Sequence, residues 1–101
     1  MEKKKHQIAL IIPAHNEEDN LRPFYVETHK IIQDLNNYTW EFIFIDDGSN
    51  DSTWRVINDI ASLNAKVKGI RLSRNFGKEM ALTAGILESA KDATAVIFMD
   101  A

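Results

Sequence analysis

The sequence has no cysteine among its 101 residues, which excludes a disulfide framework and thiolate chemistry. An excess of positive charge is also missing: 12 Lys and Arg stand against 15 Asp and Glu, and the formal net charge of −3 provides no basic surface for nucleic-acid binding. No apolar run approaches the roughly 18 residues of a membrane span, and no signal-peptide pattern opens the chain. With 45% hydrophobic residues, the chain is predicted to form one soluble, cytoplasmic globular unit over residues 1–101.

The most informative stretch is an apolar run that stops at two adjacent carboxylates. Residues 42–45 are Phe-Ile-Phe-Ile; Asp46, Asp47 and Gly48 follow, and a helix is predicted to begin near Ser52. A run this short suits a strand buried on both faces better than it suits a helix. The two aspartates would then stand at the carboxyl end of that strand, where open α/β sheets bind their ligands.

Apolar runs predict four strands in all, at residues 7–12, 40–45, 67–72 and 95–100. Pro13 closes the first run, because it lacks the N–H group that a central strand needs. The third run is short and polar, as an edge strand would be. The fourth is apolar enough to predict a buried strand that ends at Asp100.

Apolar residues at helical spacing predict three helices between these strands. The first follows Asn20, its expected N-cap, and continues to about residue 35. The second begins near Ser52 and carries its apolar stripe to Ala61. The third, at about residues 78–90, is so apolar that we expect other elements on both of its sides. Two tryptophans are assigned to packing in the core and against the sheet, namely Trp40 and Trp54.

The order β-α-β-α-β-α-β predicts an α/β fold with a parallel, doubly wound, Rossmann-like sheet between two helical layers, truncated after its fourth strand. Right-handed crossovers bring the carboxyl ends of all parallel strands to one edge of such a sheet. Four loops would therefore meet there: residues 13–20, 46–52, 73–78, and the segment from Asp100 onward. This convergence is the physical argument for a binding site.

Carboxylates dominate the predicted site. Because adjacent carboxylates repel, we expect Asp46 and Asp47 to point differently, one accepting from a base or ribose and the other securing its loop. Ordinary turn and N-cap chemistry is the alternative for this stretch. Asp100 could bind a divalent cation together with substrate phosphates, or could simply cap a turn.

Four further side chains are candidates at the same edge. His15 could stack on a base or hydrogen-bond to it, and Glu17 could bind ribose hydroxyls or favour the helix start. Arg74 and Lys78 flank Gly77 at the start of the third helix, a suitable cradle for phosphate. Their alternative is ordinary solvent exposure. No Gly-x-Gly-x-x-Gly or Walker-type loop is present, which disfavours dinucleotide and P-loop sites.

Four motifs together resemble the amino half of family 2 inverting glycosyltransferases, which have the GT-A fold. They are Ile-Ile-Pro-Ala-His-Asn-Glu-Glu at 11–18, Phe-Ile-Asp-Asp-Gly-Ser-Asn-Asp at 44–51, Leu-Ser-Arg-Asn-Phe-Gly-Lys at 72–78 and Phe-Met-Asp-Ala at 98–101. The third is most similar to the polyprenyl-phosphate sugar transferases, which include dolichyl-phosphate mannose and bactoprenol-phosphate glucose synthases. The resemblance covers essentially the whole chain.

The resemblance implies a UDP- or GDP-linked sugar as the donor in a metal-assisted transfer. By position, the residues that match the donor-binding motifs are Pro13, His15 and Glu17 in the first loop and Ile45 and Asp47 in the second. Arg74 and Lys78 match a segment that approaches the donor phosphates. Asp100 and Ala101 match the first two residues of the Asp-x-Asp motif, so Asp100 is the expected ligand of Mg²⁺ or Mn²⁺.

Two departures from the family pattern stand out. His15 occupies a position where the family often has tyrosine, and the second aspartate of the metal motif lies beyond Ala101. By the resemblance, acceptor recognition, the catalytic residues and attachment to the cytoplasmic face of a membrane would belong to the remainder of a longer protein. The acceptor would be a lipid phosphate. We expect the 101 residues alone to be inactive and to self-associate through an incomplete sheet edge.

Two other functions share parts of the pattern. A receiver-type signalling domain is also a small doubly wound fold with an acidic pocket, but its acidic pair follows the first strand, whereas here the pair follows the second. A fifth strand and a late lysine are also absent. A nucleotidyltransferase shares the sheet but has a Gly-rich, basic first loop, which residues 13–20 do not provide. The glycosyltransferase interpretation is therefore preferred.

Overall fold

A computed structural model describes residues 6–89 and 93–101. The described chain contains, in order, β1 (His6–Ala14), α1 (Leu21–Ile32), β2 (Tyr38–Asp46), α2 (Thr53–Leu63), β3 (Val67–Arg71), α3 (Lys78–Ser89) and β4 (Ala95–Phe98). The predicted alternation of strands and helices is confirmed. Ala90, the predicted end of the third helix, lies outside the described residues. No helix in the described ranges is both long and apolar enough to cross a membrane.

The four strands form one sheet in the order β3-β2-β1-β4, and every neighbouring pair is parallel. Helices α1 and α2 pack on one face of this sheet, and α3 packs on the other. The predicted Rossmann-like, doubly wound sheet between two helical layers is thus confirmed. β3 lies at an edge, as its polar sequence indicated.

The core has two halves, one on each face of β1 and β2. Alternate residues of these strands face α1 and α2, among them Leu10, Ile12 and Phe44. The residues between them face α3, among them Ile11 and Ile45. Because both faces are covered, the strands are continuously apolar, and each buried side chain contributes roughly 1.5–3 kcal/mol. Trp40 and Trp54 pack against the first half, as predicted.

β1 extends beyond the predicted end at residue 12, through Pro13 to Ala14. Proline is tolerated in this central strand because its backbone nitrogen faces β4 and not β2. The Ile11 carbonyl accepts from Met99 N–H, and backbone groups two residues further along a strand face the same neighbour, so those of Pro13 also face the β4 side. Pro13 lies beyond Ile11, the last residue of β1 that pairs with β4. The missing N–H group therefore interrupts no pairing with β2.

α3 is not covered on both sides, contrary to the expectation from its composition. Its buried positions are the small residues Ala81, Gly85 and Ser89, spaced four apart, while Leu87 is 71% exposed. A β-carbon on Gly85 would lie 2.5 Å from Ile11 Cγ2, so the helix backbone approaches the sheet directly. The helix therefore packs chiefly through its smallest side chains. Leu82 is partly buried against the same half of the core, whereas Met80 and Ile86 face solvent together with Leu87.

β4 was predicted to be buried, and this prediction is wrong. Among the described strands it pairs only with β1, and all four of its residues are exposed, Phe98 by 51%. The reason lies in the crossover, because α3 packs over β1 and β2 and only marginally over β4. β4 is thus an apolar strand at the edge of the sheet.

Asn20 stands at the predicted N-cap position of α1, and α2 begins directly after Ser52, near its predicted start. Within the described residues, neither side chain bonds to a helix N–H group. The Asn20 amide instead donates to the Glu17 carboxylate at 2.8 Å. At α2 the capping acceptor is Asp51, whose Oδ1 accepts from Thr53 N–H at 2.9 Å.

Candidate functional site

The order in which strands are added to the sheet reverses at β1, and this switch point between β1 and β4 defines the place for a site. From β1 the connections lead through α1 and α2 to β3, and α3 then returns over the opposite face to β4. In open α/β sheets, ligands bind outside the carboxyl ends of the strands at such a switch point. A cavity of about 270 Å³ lies there, lined by Pro13, Ala14, His15, Glu17, Asp47, Asn75, Gly77, Lys78 and Asp100. We name it the switch-point cavity.

Asp47 connects three of the loops around this cavity. Its Oδ1 accepts from Phe76 N–H at 2.8 Å, and its Oδ2 accepts from Gly77 N–H at 3.0 Å. Its own N–H donates to the Ala14 carbonyl at 2.8 Å. With only 4% of the residue exposed, the carboxylate is desolvated, and hydrogen bonds to a charged acceptor are about twice as strong as neutral ones. Asp47 therefore fixes residues 76–77 against the ends of β1 and β2.

Asp46 has a different set of partners, as predicted for adjacent carboxylates. Its side chain is fully buried, and Oδ1 accepts from Ser49 N–H at 3.0 Å, which closes the turn after β2. Among the described residues, Oδ2 has no hydrogen-bond partner, and Arg71 Nε lies 3.9 Å away. Both carboxylates of the acidic pair thus secure loops, Asp46 its own and Asp47 the loop after β3.

The His15 ring is held by residues from three loops. Its Nδ1 lies 2.8 Å from the Asp47 carbonyl oxygen and must donate to it, since a carbonyl only accepts. The other ring nitrogen, Nε2, then accepts from the Asn75 amide at 3.1 Å and lies 3.3 Å from the Asn16 amide. His15 is exposed, yet its ring plane is fixed by these partners.

A series of hydrogen bonds joins the loop after β1 to the loop after β2. The pairs are Asn16 N to Ser49 Oγ, Asn50 N to Asn16 Oδ1, Glu17 N to Thr53 Oγ1, Glu18 N to Asp51 Oδ2, and Ser52 N to Glu18 Oε2. Asn16 adopts a positive φ of 54°, which asparagine tolerates better than most residues. Sequence reasoning missed these partners, although both loops are visibly rich in side chains that bond to backbone.

Asp51 has the one clearly shifted carboxyl group among the described residues. Desolvation, the largest single influence, raises its pKa. Hydrogen bonds from the Thr53 hydroxyl and from the backbone N–H groups of Thr53, Glu18 and Asp51 itself together outweigh it. The net effect lowers the pKa of Asp51 below the ordinary value of 3.8. The folded state therefore favours the ionised carboxylate.

Gly48 allows the loop after β3 to cross the loop after β2. Its φ is +67°, and a β-carbon there would lie 2.2 Å from Arg74 C and from Asn75 N. These are backbone atoms, which cannot rotate away as the end of a side chain could. Only glycine therefore permits this crossing.

A second and larger cavity adjoins the first. Its volume is about 590 Å³, and its lining residues are His15, Gly48, Ser49, Asn50, Arg71, Leu72, Ser73, Arg74 and Asn75. We name it the arginine cavity. It shares His15 and Asn75 with the switch-point cavity, and the Arg74 guanidinium lies 4.7 Å from the centre of the Phe76 ring. The two cavities thus form one cleft, with two arginines on one side.

The cleft gathers most of the predicted site residues. Six of them line the switch-point cavity, and Arg74 lines the arginine cavity. The two others lie differently: the Ile45 side chain is fully buried facing α3, so only its backbone could meet a ligand, and Ala101 packs against the core. Gly48, Asn75, Thr53 and Asp51 are structural contributors that the sequence analysis did not single out.

Lys78 and Asp100 form an ion pair across the switch-point cavity. Lys78 Nζ lies 2.9 Å from Asp100 Oδ1, and both side chains are more than half exposed. Within residues 6–89 and 93–101, no group of three or more His, Asp or Glu side chains could hold a metal. The donor set here is a single carboxylate, that of Asp100, which is paired with Lys78 in this structure. One carboxylate fits a cation that takes its other oxygens from a substrate.

Fold and cleft together define a Rossmann-like α/β protein whose polar groups lie at the switch point. The family model described as glycosyl transferase family 2 matches residues 9–101. The chain therefore belongs to glycosyl transferase family 2, and its sheet is consistent with the GT-A fold expected from the motifs.

The chain is also similar in sequence to individual proteins that are named glycosyltransferases. A bactoprenol glucosyl transferase of Shigella phage SfV is 40% identical over 93% of this chain, which covers 30% of that relative. A prophage bactoprenol glucosyl transferase homolog of Escherichia coli K12 is 38% identical over the same share of the chain. An uncharacterised glycosyltransferase of Synechocystis is 41% identical over 79% of the chain and is covered to 25%. The chain thus spans less than a third of the length of these relatives.

Gly48→Ala should destabilise the protein more than Gly77→Ala. Both glycines have positive φ, which costs an alanine about 1–2 kcal/mol, but at Gly77 no atom of the described residues lies within 4 Å of an added β-carbon. At Gly48 the clash with the Arg74 and Asn75 backbone adds about 1–3 kcal/mol. Urea unfolding of the two variants measures the difference. Equal losses of unfolding free energy would show that the loops do not cross at Gly48.

Asp51→Ala should lower stability by about 0.5–2 kcal/mol near pH 7, because a capping acceptor is lost. Since the folded-state pKa is lowered, this contribution is complete above the unfolded pKa of about 3.9 and is lost as pH falls through the lower folded value. The unfolding free energies of wild type and variant should therefore converge below pH 4. The exposed Asp59→Ala serves as control, and a gap that stays constant down to pH 2.5 would contradict the assignment.

Proposed function

We propose that this chain is the donor-binding region of a glycosyltransferase that transfers a sugar from a nucleotide diphosphate to a polyprenyl phosphate. The observation that carries the proposal is the cleft at the switch point of a family 2 domain, where acceptor groups and cations face each other. Membership of the family supports the reaction type, and relatives named bactoprenol glucosyl transferases support the acceptor class. The 101 residues alone are proposed to bind the donor without turnover.

The polar groups of the cleft form two sets, one suited to the nucleoside of a donor and the other to its diphosphate. Pro13, His15, Glu17 and Asp47 offer a ring, carboxylates and backbone groups that can bind a base and ribose hydroxyls. Arg74 and Lys78 offer positive charge to the diphosphate, and Lys78 opens α3, whose N-terminal end favours anions. We therefore place the nucleoside toward the ends of β1 and β2 and the phosphates toward α3.

A divalent cation, Mg²⁺ or Mn²⁺, belongs to the same proposal, with Asp100 as the residue that would hold it beside Ala101. When bound, it supplies Lewis-acid neutralisation of the departing diphosphate. The Lys78–Asp100 pair lies at the surface, where ion pairs contribute at most about 1 kcal/mol. Asp100 can therefore exchange Lys78 for a cation, which leaves the Lys78 ammonium free for phosphate.

The proposed acceptor would reduce the need for a general base. A lipid phosphate oxygen is already an anion, so it requires less proton removal than a neutral hydroxyl would. Acceptor binding and contact with the cytoplasmic face of a membrane are proposed for the longer protein, because the chain covers only 30% of a bactoprenol glucosyl transferase.

Titration calorimetry with UDP-glucose and GDP-mannose, with and without Mg²⁺ or Mn²⁺, tests the donor proposal. We expect weak, saturable binding that Asp47→Ala reduces at least about tenfold, because a hydrogen bond to a charged group contributes about 1.5–3 kcal/mol. Asp59→Ala, which removes an exposed carboxylate of α2, should leave binding unchanged. Asp100→Asn should abolish the effect of the cation and preserve metal-free binding.

Two results would contradict the donor proposal. One is the absence of binding of either nucleotide sugar to the folded chain. The other is binding that Asp47→Ala and Asp59→Ala weaken equally, which would place the ligand elsewhere. The preferred nucleotide base distinguishes a UDP-linked from a GDP-linked donor.

Self-association is proposed to occur through β4, whose unpaired edge carries exposed Val96, Ile97 and Phe98. Light scattering at high concentration should show dimers or larger species. Ile97→Lys should return the chain to a monomer, because a charge on an edge strand opposes pairing. The matched control, Leu63→Lys, places the same charge at the end of α2 and should change nothing. A monomeric wild type would overturn the proposal.

A further inference from the structure

The surroundings of the His15 ring select one of its two neutral forms. Asp47 supplies the first constraint: its carbonyl oxygen lies 2.8 Å from Nδ1 and can only accept, so Nδ1 carries the proton. Asn16 supplies the second. Its Oδ1 accepts from Asn50 N–H at 2.8 Å, which turns its amide nitrogen toward His15 Nε2 at 3.3 Å. Nε2 therefore faces a donor and carries no proton of its own.

Asn75 contacts the same ring from above its plane. Its amide nitrogen lies 3.1 Å from Nε2 and 3.2 Å from Nδ1 of His15. An atom this close to both nitrogens cannot lie in the ring plane, because the Cε1–H group occupies the plane between them. The Asn75 amide therefore covers one face of the imidazole, where its N–H groups can interact with the ring electrons and the unprotonated nitrogen.

The position of Asn75 is fixed from both sides along the chain. Its backbone nitrogen belongs to the crossing over Gly48, where a β-carbon would lie only 2.2 Å away. The next two N–H groups of the loop are held by the Asp47 carboxylate at 2.8 and 3.0 Å. Asp47 thus holds the His15 ring through its carbonyl and the Asn75 loop through its carboxylate, which sets the distance between the two side chains.

These contacts leave one face of the His15 ring free. Asp47 and Asn16 occupy its two nitrogen edges, and Asn75 covers one face, yet the residue remains exposed. The exposed surface belongs to the cleft, since His15 lines both cavities. Both nitrogens are already paired, so the ring offers a ligand a flat face, against which another flat ring can stack.

We propose that Asn75 is a positioning residue that holds His15 in the Nδ1–H form, and that the free ring face stacks on the base of the donor. The contact with a base rests on the proposed function, whereas the role of Asn75 does not. Of the two roles predicted for His15, stacking and hydrogen bonding to a base, the geometry favours the first. Stacking tolerates any base, because every base has a flat face. His15 therefore contributes affinity, and discrimination between uracil and guanine comes from other groups.

Long-range ¹H–¹⁵N NMR of the ¹⁵N-labelled chain at pH 8, without any ligand, reports which ring nitrogen carries the proton. The chain has three histidines, and the signals lost in His15→Gln assign the ring. We expect the Nδ1–H form, whereas a histidine free in water favours Nε2–H. Asn75→Ala should move the His15 signals toward the Nε2–H form, because the ring can then leave Asp47 and become hydrated.

The matched control is Asn58→Ala, which removes an exposed asparagine of α2 and should leave the His15 signals in place. A loss of stability alone would not change the tautomer of the molecules that remain folded. The tautomer therefore distinguishes a positioning role of Asn75 from a merely structural one.

Calorimetry with UDP-glucose and GDP-mannose tests the use of the free face. His15→Phe keeps a flat face without nitrogens, and His15→Gln keeps polar groups without a face. We expect His15→Gln to weaken binding at least about fivefold, near the lower end of measured stacking contributions, and His15→Phe to bind within about twofold of wild type. Asn75→Ala should fall between these variants, because its ring is present but no longer held.

The two readouts separate failure of this inference from failure of the proposed function. The Nε2–H form in the wild type, or an unchanged Nδ1–H form in Asn75→Ala, would overturn the role of Asn75 whether or not a nucleotide binds. Binding that survives His15→Gln and is lost in His15→Phe would overturn stacking, because the nitrogen edge would then recognise the base. Absence of wild-type binding to both nucleotide sugars would overturn the proposed function and the base contact together, while the Nδ1–H form would still support the positioning of the ring.

Discussion

The Asp47 carboxylate, held by two backbone N–H groups, is the interaction on which the cleft depends. Burying a carboxylate is costly unless its oxygens are paired, and here Phe76 and Gly77 provide the pairing. The bond joins residues 30 positions apart and brings the loop after β3 over Gly48. The fixed His15 ring, the adjoining arginines and the start of α3 all take their positions from this crossing.

The sheet supplies the rigid support for these loops. Continuous apolar runs in β1 and β2 require cover on both faces, and the helices provide it, α1 and α2 on one face and α3 on the other. This winding puts the switch point next to β1. A family that varies its loops on such a support can keep the same architecture while its ligands change.

The element order, the parallel sheet and the meeting of four loops were predictable, because they follow from short buried runs and crossover handedness. The partners within the cleft were not. Which N–H group Asp47 accepts from depends on a contact between distant loops, and the sequence around it is equally compatible with a simple turn. The packing of α3 was unpredictable for a related reason. Its composition predicted that the large apolar side chains would be buried, whereas the close approach of the helix to the sheet buries the small residues Ala81, Gly85 and Ser89. The exposure of β4 likewise depends on which strands α3 covers, and this position of the helix could not be read from the sequence.

The unequal lengths of strand pairing have a consequence for motion. β1 pairs with β2 over His6–Ala14 but with β4 only over Ile8–Ile11. Local opening is cheapest where few backbone bonds and little buried area must be given up. The two sides of the cleft therefore differ in rigidity. Asp47 follows β2, which is paired along its length, and Asp100 follows β4, which has the fewest pairing bonds to give up on local opening. The carboxylates of Asp47 and Asp100 can change their separation without disturbing the loops that Asp47 holds.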